Sequence, residues 1–576
     1  MQRSISLALI AASLAGPAAL GQQAAPVRPV KSQVESVAAE IEVLVLDSKG
    51  KAAEGLARSD FKLFVNGKES PIDYLEPPLG PARPPASTSA SGPVGADATP
   101  ASSGPSTSPR LSHSTVFVFN PLHLDARSRQ NGLNAMRRYV DRMPAGESGT
   151  VFVIDNGLRR LVAFTSDRKE LGKAIDRAGK GLPMSYNFDV GGEEWLARSR
   201  QELRSMATLF NSIASRPEPK TVLVLAGALS ATGTIKPIGG SAGSAAASQT
   251  SFDVGRAKDI PGGRAGYFPR DATMTEAEAL GSGSTLSTRG MWSLLPEIRD
   301  VGSEALLARA TVIALDPTEL RSENATAEIN SLRKGDKEVF TTSSSLRPGD
   351  NSAESDASDT WEFRNDSFAL IARDTGGSRL GYSNDPAGLV LAESDLLSRR
   401  YRLGFTPPDP TSARRAVRIE ISRPGFLVRT ASGQRSITPE TAARARFAAL
   451  LLSADAPTGD FVIVLETKGP VSKRTDDAFP FDVVIPIAGV YAEDTPGGKR
   501  AKLEILVSTV DDEGRASDPV VIPFSATLTK EAAVDGAFFR KDANFNIDRR
   551  WKGRLFVGVR DTATSRIGAV ALPIGS

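Results

Sequence analysis

Three short segments, 115–119, 221–225 and 311–315, are apolar at every position after their opening threonine. A strand that alternates apolar and polar residues buries one face. One that is apolar throughout buries both, which happens where helices cover each side of a mostly parallel sheet. The stretches between these segments have helical spacing: Leu133, Met136, Val140 and Met143, then Leu171, Ala174, Ile175 and Ala178, then Leu203, Met206, Phe210 and Ile213. Segments 150–154 and 161–164 flank an Asp155-Asn156-Gly157 turn and read as an antiparallel hairpin. The resulting order is strand, helix, hairpin, helix, helix, strand, helix, strand, which predicts a doubly wound α/β domain over residues 114–399.

The rest of the chain reads differently. Residues 1–21 carry an arginine, an apolar stretch and Ala19-Leu20-Gly21, which predicts a cleaved signal peptide. The stretch is shorter than the roughly 20 residues of a membrane span and is broken by Gly16 and Pro17. Residues 36–78 alternate as half-buried strands (Ile41, Val43, Val45; Phe61, Leu63, Val65). Asn66-Gly67 supplies a hairpin turn, and the return strand is expected at 72–75. Residues 79–113 are rich in Pro, Ser, Ala and Gly and read as a linker. Polar insertions are expected near 230–287 and 319–360.

Strands at 400–430 are too few to stand alone, as are those at 36–78, so the two sets are expected to pack together with the α/β domain inserted between them. A helix at 441–452 then leads into six alternating strands at 461–465, 481–487, 503–507, 520–524, 554–559 and 567–572, a β-sandwich within 441–576.

Composition excludes several function classes. Seventy basic and 67 acidic residues leave a net charge of +3, with no basic stripe to track nucleic acid. Cysteine is absent, so neither disulfides nor a lipidated cysteine is available. Two histidines, His113 and His123, are too few for multi-histidine metal sites. No phosphate loop or dinucleotide fingerprint occurs.

The layout resembles a von Willebrand factor A domain, and in particular the VWFA-related proteins of the acidobacterial type. The residues carrying this resemblance begin at Glu42-Val43-Leu44-Val45-Leu46-Asp47-Ser48-Lys49-Gly50 and end at Tyr401-Arg402-Leu403-Gly404-Phe405-Thr406-Pro407. Between them lie Pro219-Lys220-Thr221-Val222-Leu223-Val224-Leu225 and Ala372-Arg373-Asp374-Thr375-Gly376-Gly377. The resemblance implies a partner-binding domain with a divalent cation at the carboxyl ends of its central strands, held first by an Asp-x-Ser-x-Ser motif. Here that position reads Asn120-Pro121-Leu122-His123-Leu124, with an amide for the acid and leucine for both hydroxyls. The second acidic position falls on Ala226. Asn120, Leu122, Leu124 and Ala226 therefore mark a degenerate metal site, and neither metal nor cofactor is expected.

Three other groups stand out. His123 sits at the favoured edge but lacks a nucleophile elbow nearby. Asp374-Thr375-Gly376 matches an aspartic-protease tripeptide but follows a helix, whose end its glycines explain. Asp316-Pro317 is the best remaining carboxylate at the strand edge, or else a turn initiator. The expected protein is exported, to the periplasm or beyond, without a transmembrane segment in the mature chain. It is read as a non-enzymatic binder of a protein or glycan. An envelope scaffold and a hydrolase built on His123 are the alternatives.

Overall fold

The computed structural model describes residues 39–78, 113–144, 146–155, 157–180, 193–234, 291–318, 366–381, 383–409, 412–453, 459–468, 478–534, 536–548 and 551–575. The expected signal peptide, the linker up to residue 112 and nearly all of both insertions lie outside them. Two compact units are present, one of Ala38–Phe210 and Arg216–Arg435, the other of Ser436–Ser576 with Asn211–Ser215.

The larger unit begins with β1 (Ala39–Leu46), β2 (Phe61–Val65), β3 (Lys68–Ser70) and β4 (Tyr74–Glu76). Asn66 and Gly67 adopt positive φ angles of 51° and 79°, which the tight β2–β3 turn requires. The hairpin thus returns at once through Lys68–Ser70, not through 72–75 as the sequence suggested. Its polar residues hid it, and Tyr74–Glu76 joins a different sheet.

The α/β domain follows: β5 (Ser114–Phe119), α1 (Ala126–Arg142), β6 (Ser148–Ile154), β7 (Leu158–Thr165), α2 (Arg168–Ala178), α3 (Glu193–Ala214) and β8 (Lys220–Leu225). A small hairpin of β9 (Thr232–Thr234) and β10 (Met291–Ser293) precedes α4 (Leu295–Leu307). Then come β11 (Ala310–Leu315), α5 (Ser367–Asp374), β12 (Ser378–Leu380) and α6 (Pro386–Ser398). Asp125, Asp167, Asp366 and Asp385 cap α1, α2, α5 and α6, each accepting a backbone N–H of the first turn.

The sheet order is β12-β11-β8-β5-β6-β7, parallel except for β7. Val116–Phe119, Val222–Leu225 and Val312–Leu315 are fully buried, as strands covered on both faces must be. From β5 the chain moves to β6 on one side and later to β8 on the other. The carboxyl ends of β5 and β8 therefore form the crevice where open α/β sheets receive ligands.

The chain leaves this domain through β13 (Tyr401–Phe405), β14 (Arg414–Ile421), β15 (Leu427–Thr430) and β16 (Gly433–Arg435). These interleave with the opening strands in two sheets, β15-β1-β13-β4 and β16-β14-β2-β3. The sheets enclose Ile41, Val43, Val45, Phe61, Leu63, Tyr401, Leu403, Phe405, Val417 and Ile419. Because successive side chains of a strand point oppositely, Leu44 and Leu46 of β1 enter the α/β core instead.

In the smaller unit, α7 (Pro439–Leu451) precedes β17 (Val464–Thr467), β18 (Ala478–Pro486), β19 (Glu493–Thr495), β20 (Gly498–Asp511), β21 (Val520–Thr529), β22 (Phe538–Asn546), β23 (Gly553–Asp561) and β24 (Ile567–Ile574). One sheet runs β17-β18-β22; the other runs β19-β20-β23-β24, with β21 also on β20. Phe479, Phe481, Val483 and Ile485 meet Leu503, Ile505, Val507, Leu555, Val557 and Val559 in one core. β22 escaped sequence reading because Lys541, Asp542 and Asn544 suit strands poorly. Cross-strand ion pairs help hold it: Arg540 with Asp482 at 2.9 Å and Glu466 at 2.6 Å, and Asp542 with Lys468 at 2.7 Å.

Candidate functional site at the carboxyl strand ends

Asn120 continues the ladder just past β5, donating its backbone N–H to Leu225 O at 2.9 Å. Its side-chain oxygen accepts the Leu122 N–H at 3.3 Å, forming a tight Asx turn, and its side-chain amide donates to Glu202 of α3. Leu124 is buried in the α/β core and Leu122 is half-buried. Asn120 thus fixes the loop, and Leu124 anchors it from beneath.

His123 stands on the same loop, its Nε2 3.3 Å from Glu202 Oε2 and its ring 6.0 Å from that of Trp195. Gly227 is needed behind it: a Cβ there would lie 2.5 Å from the His123 carbonyl oxygen. Glu202 is only 2% exposed. Sequence reading passed over it, although a signal exists: Ser199, Glu202 and Ser205 form a polar stripe at spacing three, and all are buried. Asn120, Leu122, Asp155, Arg198 and Glu202 line a cavity of about 20 Å³, room for one water. Asp155 pairs with Arg159 at 3.0 Å.

The ends of β8, β11 and β12 meet on a different group. Arg379 of β12, 4% exposed, donates from Nε to Asp366 Oδ2 at 2.7 Å, from Nη1 to Ala226 O at 3.2 Å, and from Nη2 to Asp316 Oδ2 at 3.3 Å. Asp316 also accepts the Thr318 N–H and hydroxyl, at 3.0 and 2.5 Å. Asp366 caps α5 and accepts the Leu229 N–H at 3.4 Å. Burial pushes the Asp366 carboxyl above its ordinary value, and the Arg379 charge pulls against that rise. Sequence reading marked Asp316 and Ala226 but missed Arg379 and Asp366, because nothing local announces that a charge in a three-residue strand points inward.

A divalent cation does not fit this donor set. Asn120 is committed to Glu202 and Leu122, Leu124 is core, and the Ala226 carbonyl faces a guanidinium. Mg²⁺ and Ca²⁺ take carboxylate, hydroxyl, carbonyl and water oxygens, and a buried like charge beside them is repulsive.

The other marked residues are structural. Asp374 ends α5, Thr375 Oγ1 donates to the Ile371 and Ala372 carbonyls and accepts the Val312 N–H, and Gly376 has φ of 74°. His113 lies at the amino end of β5, bound to Glu42 and Arg400.

No protein-family model matches the chain, and no curated protein does. Among solved structures, the von Willebrand factor domain of the type V pili tip protein Mfa5 from Porphyromonas gingivalis is 12% identical. That likeness covers 50% of this chain and 94% of the other, with a TM-score of 0.24. A von Willebrand factor type A protein from Catenulispora acidiphila is 9% identical over 93% of this chain and 72% of its own, with a TM-score of 0.22. An aerotolerance-related membrane protein from Bacteroides fragilis is 8% identical over 50% and 98%, also at 0.22. With TM-scores this low, function has to be read from the chain's own residues. The fold itself is plain from the strand order: a doubly wound α/β domain with β-rich flanks. Among the described residues no helix is long and apolar enough to cross a membrane.

Proposed function

We propose that this chain is an exported, non-enzymatic binding protein whose A-like domain makes protein or glycan contacts in the cell envelope or outside it, without a metal. The observation that carries this reading is Arg379. The carboxylates beside the end of β8, Asp316 and Asp366, are held by a buried guanidinium, which leaves neither as a general base nor as a metal ligand.

The hydrolase reading draws on the close approach of His123 and Glu202. Beside them the described cavity of about 20 Å³ has room for one water. The test is to immobilise the full chain and measure capture of envelope proteins and of arrayed glycans, with and without chelator. Saturable capture that chelator leaves unchanged supports the reading. Capture abolished by chelator overturns it, as does hydrolysis of a panel substrate that disappears in His123→Ala.

A further inference from the structure

We infer that Arg379 is a built-in replacement for a divalent cation at this strand edge. The inference concerns the site's own chemistry and stands whatever the chain binds. Three oxygens from separate elements converge on one group: Asp366 Oδ2 from the start of α5, Ala226 O from the end of β8 and Asp316 Oδ2 from the end of β11, at 2.7, 3.2 and 3.3 Å. Joining loop ends through hard oxygen donors is what a bound Mg²⁺ or Ca²⁺ does. Here a guanidinium does it, with a different nitrogen for each oxygen, a division that a lysine ammonium could not reproduce across that span.

All three side chains are nearly inaccessible: Arg379 at 3%, Asp316 at 7% and Asp366 at 4%. The site therefore cannot exchange its cation with solvent. Two carboxylates face one guanidinium, so removing Arg379 would leave buried negative charge and oxygen donors already converged. That is a cavity with a cation's ligands and none of its charge.

The experiment uses the full chain, with Mn²⁺ as probe because its bound and free forms differ by electron paramagnetic resonance. Wild type should show no bound Mn²⁺ that Asp316→Asn removes, and neither Mn²⁺ nor chelator should move its melting temperature. Arg379→Ala should melt lower and gain a saturable, Asp316-dependent Mn²⁺ site that raises its melting temperature by several degrees. A wild-type Mn²⁺ site lost in Asp316→Asn overturns the inference, as does a folded Arg379→Ala chain without a Mn²⁺ response.

Should Arg379→Ala fail to fold, the triple variant Arg379→Met, Asp316→Asn, Asp366→Asn decides. Neutralising both acids should restore a soluble, folded chain blind to Mn²⁺. If it is no more soluble than Arg379→Met alone, the acids do not need a cation and the inference fails.

Discussion

Arg400 sits where the chain leaves the α/β domain, and its loss should loosen the way that domain is built into the flanking sheets. Its guanidinium pairs with Glu42 of β1 at 2.7 Å, donates to the Thr311 hydroxyl at 2.8 Å, and lies 3.2 Å from His113 Nε2. Arg400 is 8% exposed and Glu42 21%. Removing one partner from a buried pair costs about 3–5 kcal/mol. Glu42 keeps His113 at 3.4 Å and some solvent, which places Arg400→Met at the lower end, about 3 kcal/mol. That corresponds to a roughly hundredfold change in an opening equilibrium.

Hydrogen exchange of the full chain, read by mass spectrometry, is the assay. Amides of β1 and β13 should exchange about a hundredfold faster in Arg400→Met, while those of β20 and β23 in the other unit serve as the unchanged reference. Glu42→Gln combined with Arg400→Met should recover most of the loss, because no buried charge is then left alone. Protection in β1 and β13 that changes less than about fivefold, under 1 kcal/mol, would refute the reasoning. A pH dependence follows too. Burial alone would raise the Glu42 carboxyl, but Arg400 and His113 overcome it and hold Glu42 well below its ordinary 4.5. A depressed folded value means the stabilisation is complete above that ordinary value and is lost as pH falls below it, so β1 protection should decline on acidification more in wild type than in Glu42→Gln.

Lys220 is buried with its ammonium on the Arg216, Glu218 and Ala308 carbonyls, and burial pushes it down to about 7 from 10.5. Between those values the unfolded chain binds a proton that the folded chain does not, so Lys220 makes stability rise with pH from 7 to 9. Thermal melts should show that slope in wild type and lose it in Lys220→Met. Gly172 lies inside α2 with nothing within 4 Å of a new Cβ, so Gly172→Ala should stabilise by about 0.4–1 kcal/mol in calorimetry. A Cβ on Gly377 would sit 1.8 Å from the Val312 carbonyl oxygen, and Gly377→Ala should leave the larger unit unable to fold, seen as loss of soluble protein.

What the sequence made legible was whatever periodicity encodes. Segments 115–119, 221–225 and 311–315 announced a sheet buried on both faces, and Leu133, Met136 and Val140 announced the helix that covers it. Asn120 and Ala226 directly follow β5 and β8, and Leu122 and Leu124 lie in the loop after Asn120. The partnerships stayed hidden. Glu202 meets Asn120 across 82 positions and Arg379 meets Ala226 across 153, and no local pattern records which distant element a buried charge will face. β3 and β22 were missed for a related reason: their stability comes from neighbouring strands and cross-strand charges, so their own residues look like loop.

The opening and closing strands of the larger unit also bear on how that unit can fold. The backbone N–H of Leu56 waits for the hydroxyl of Tyr401, 345 positions later, and β1 likewise waits for β13, which pairs with its residues Ala39–Val43. Contacts this remote are slow to find by diffusion of an open chain. If the α/β domain folds first, it brings residue 113 and residue 400 onto the same carboxylate and so delivers β13 to β1. The inserted domain then acts as the template on which its own host is completed.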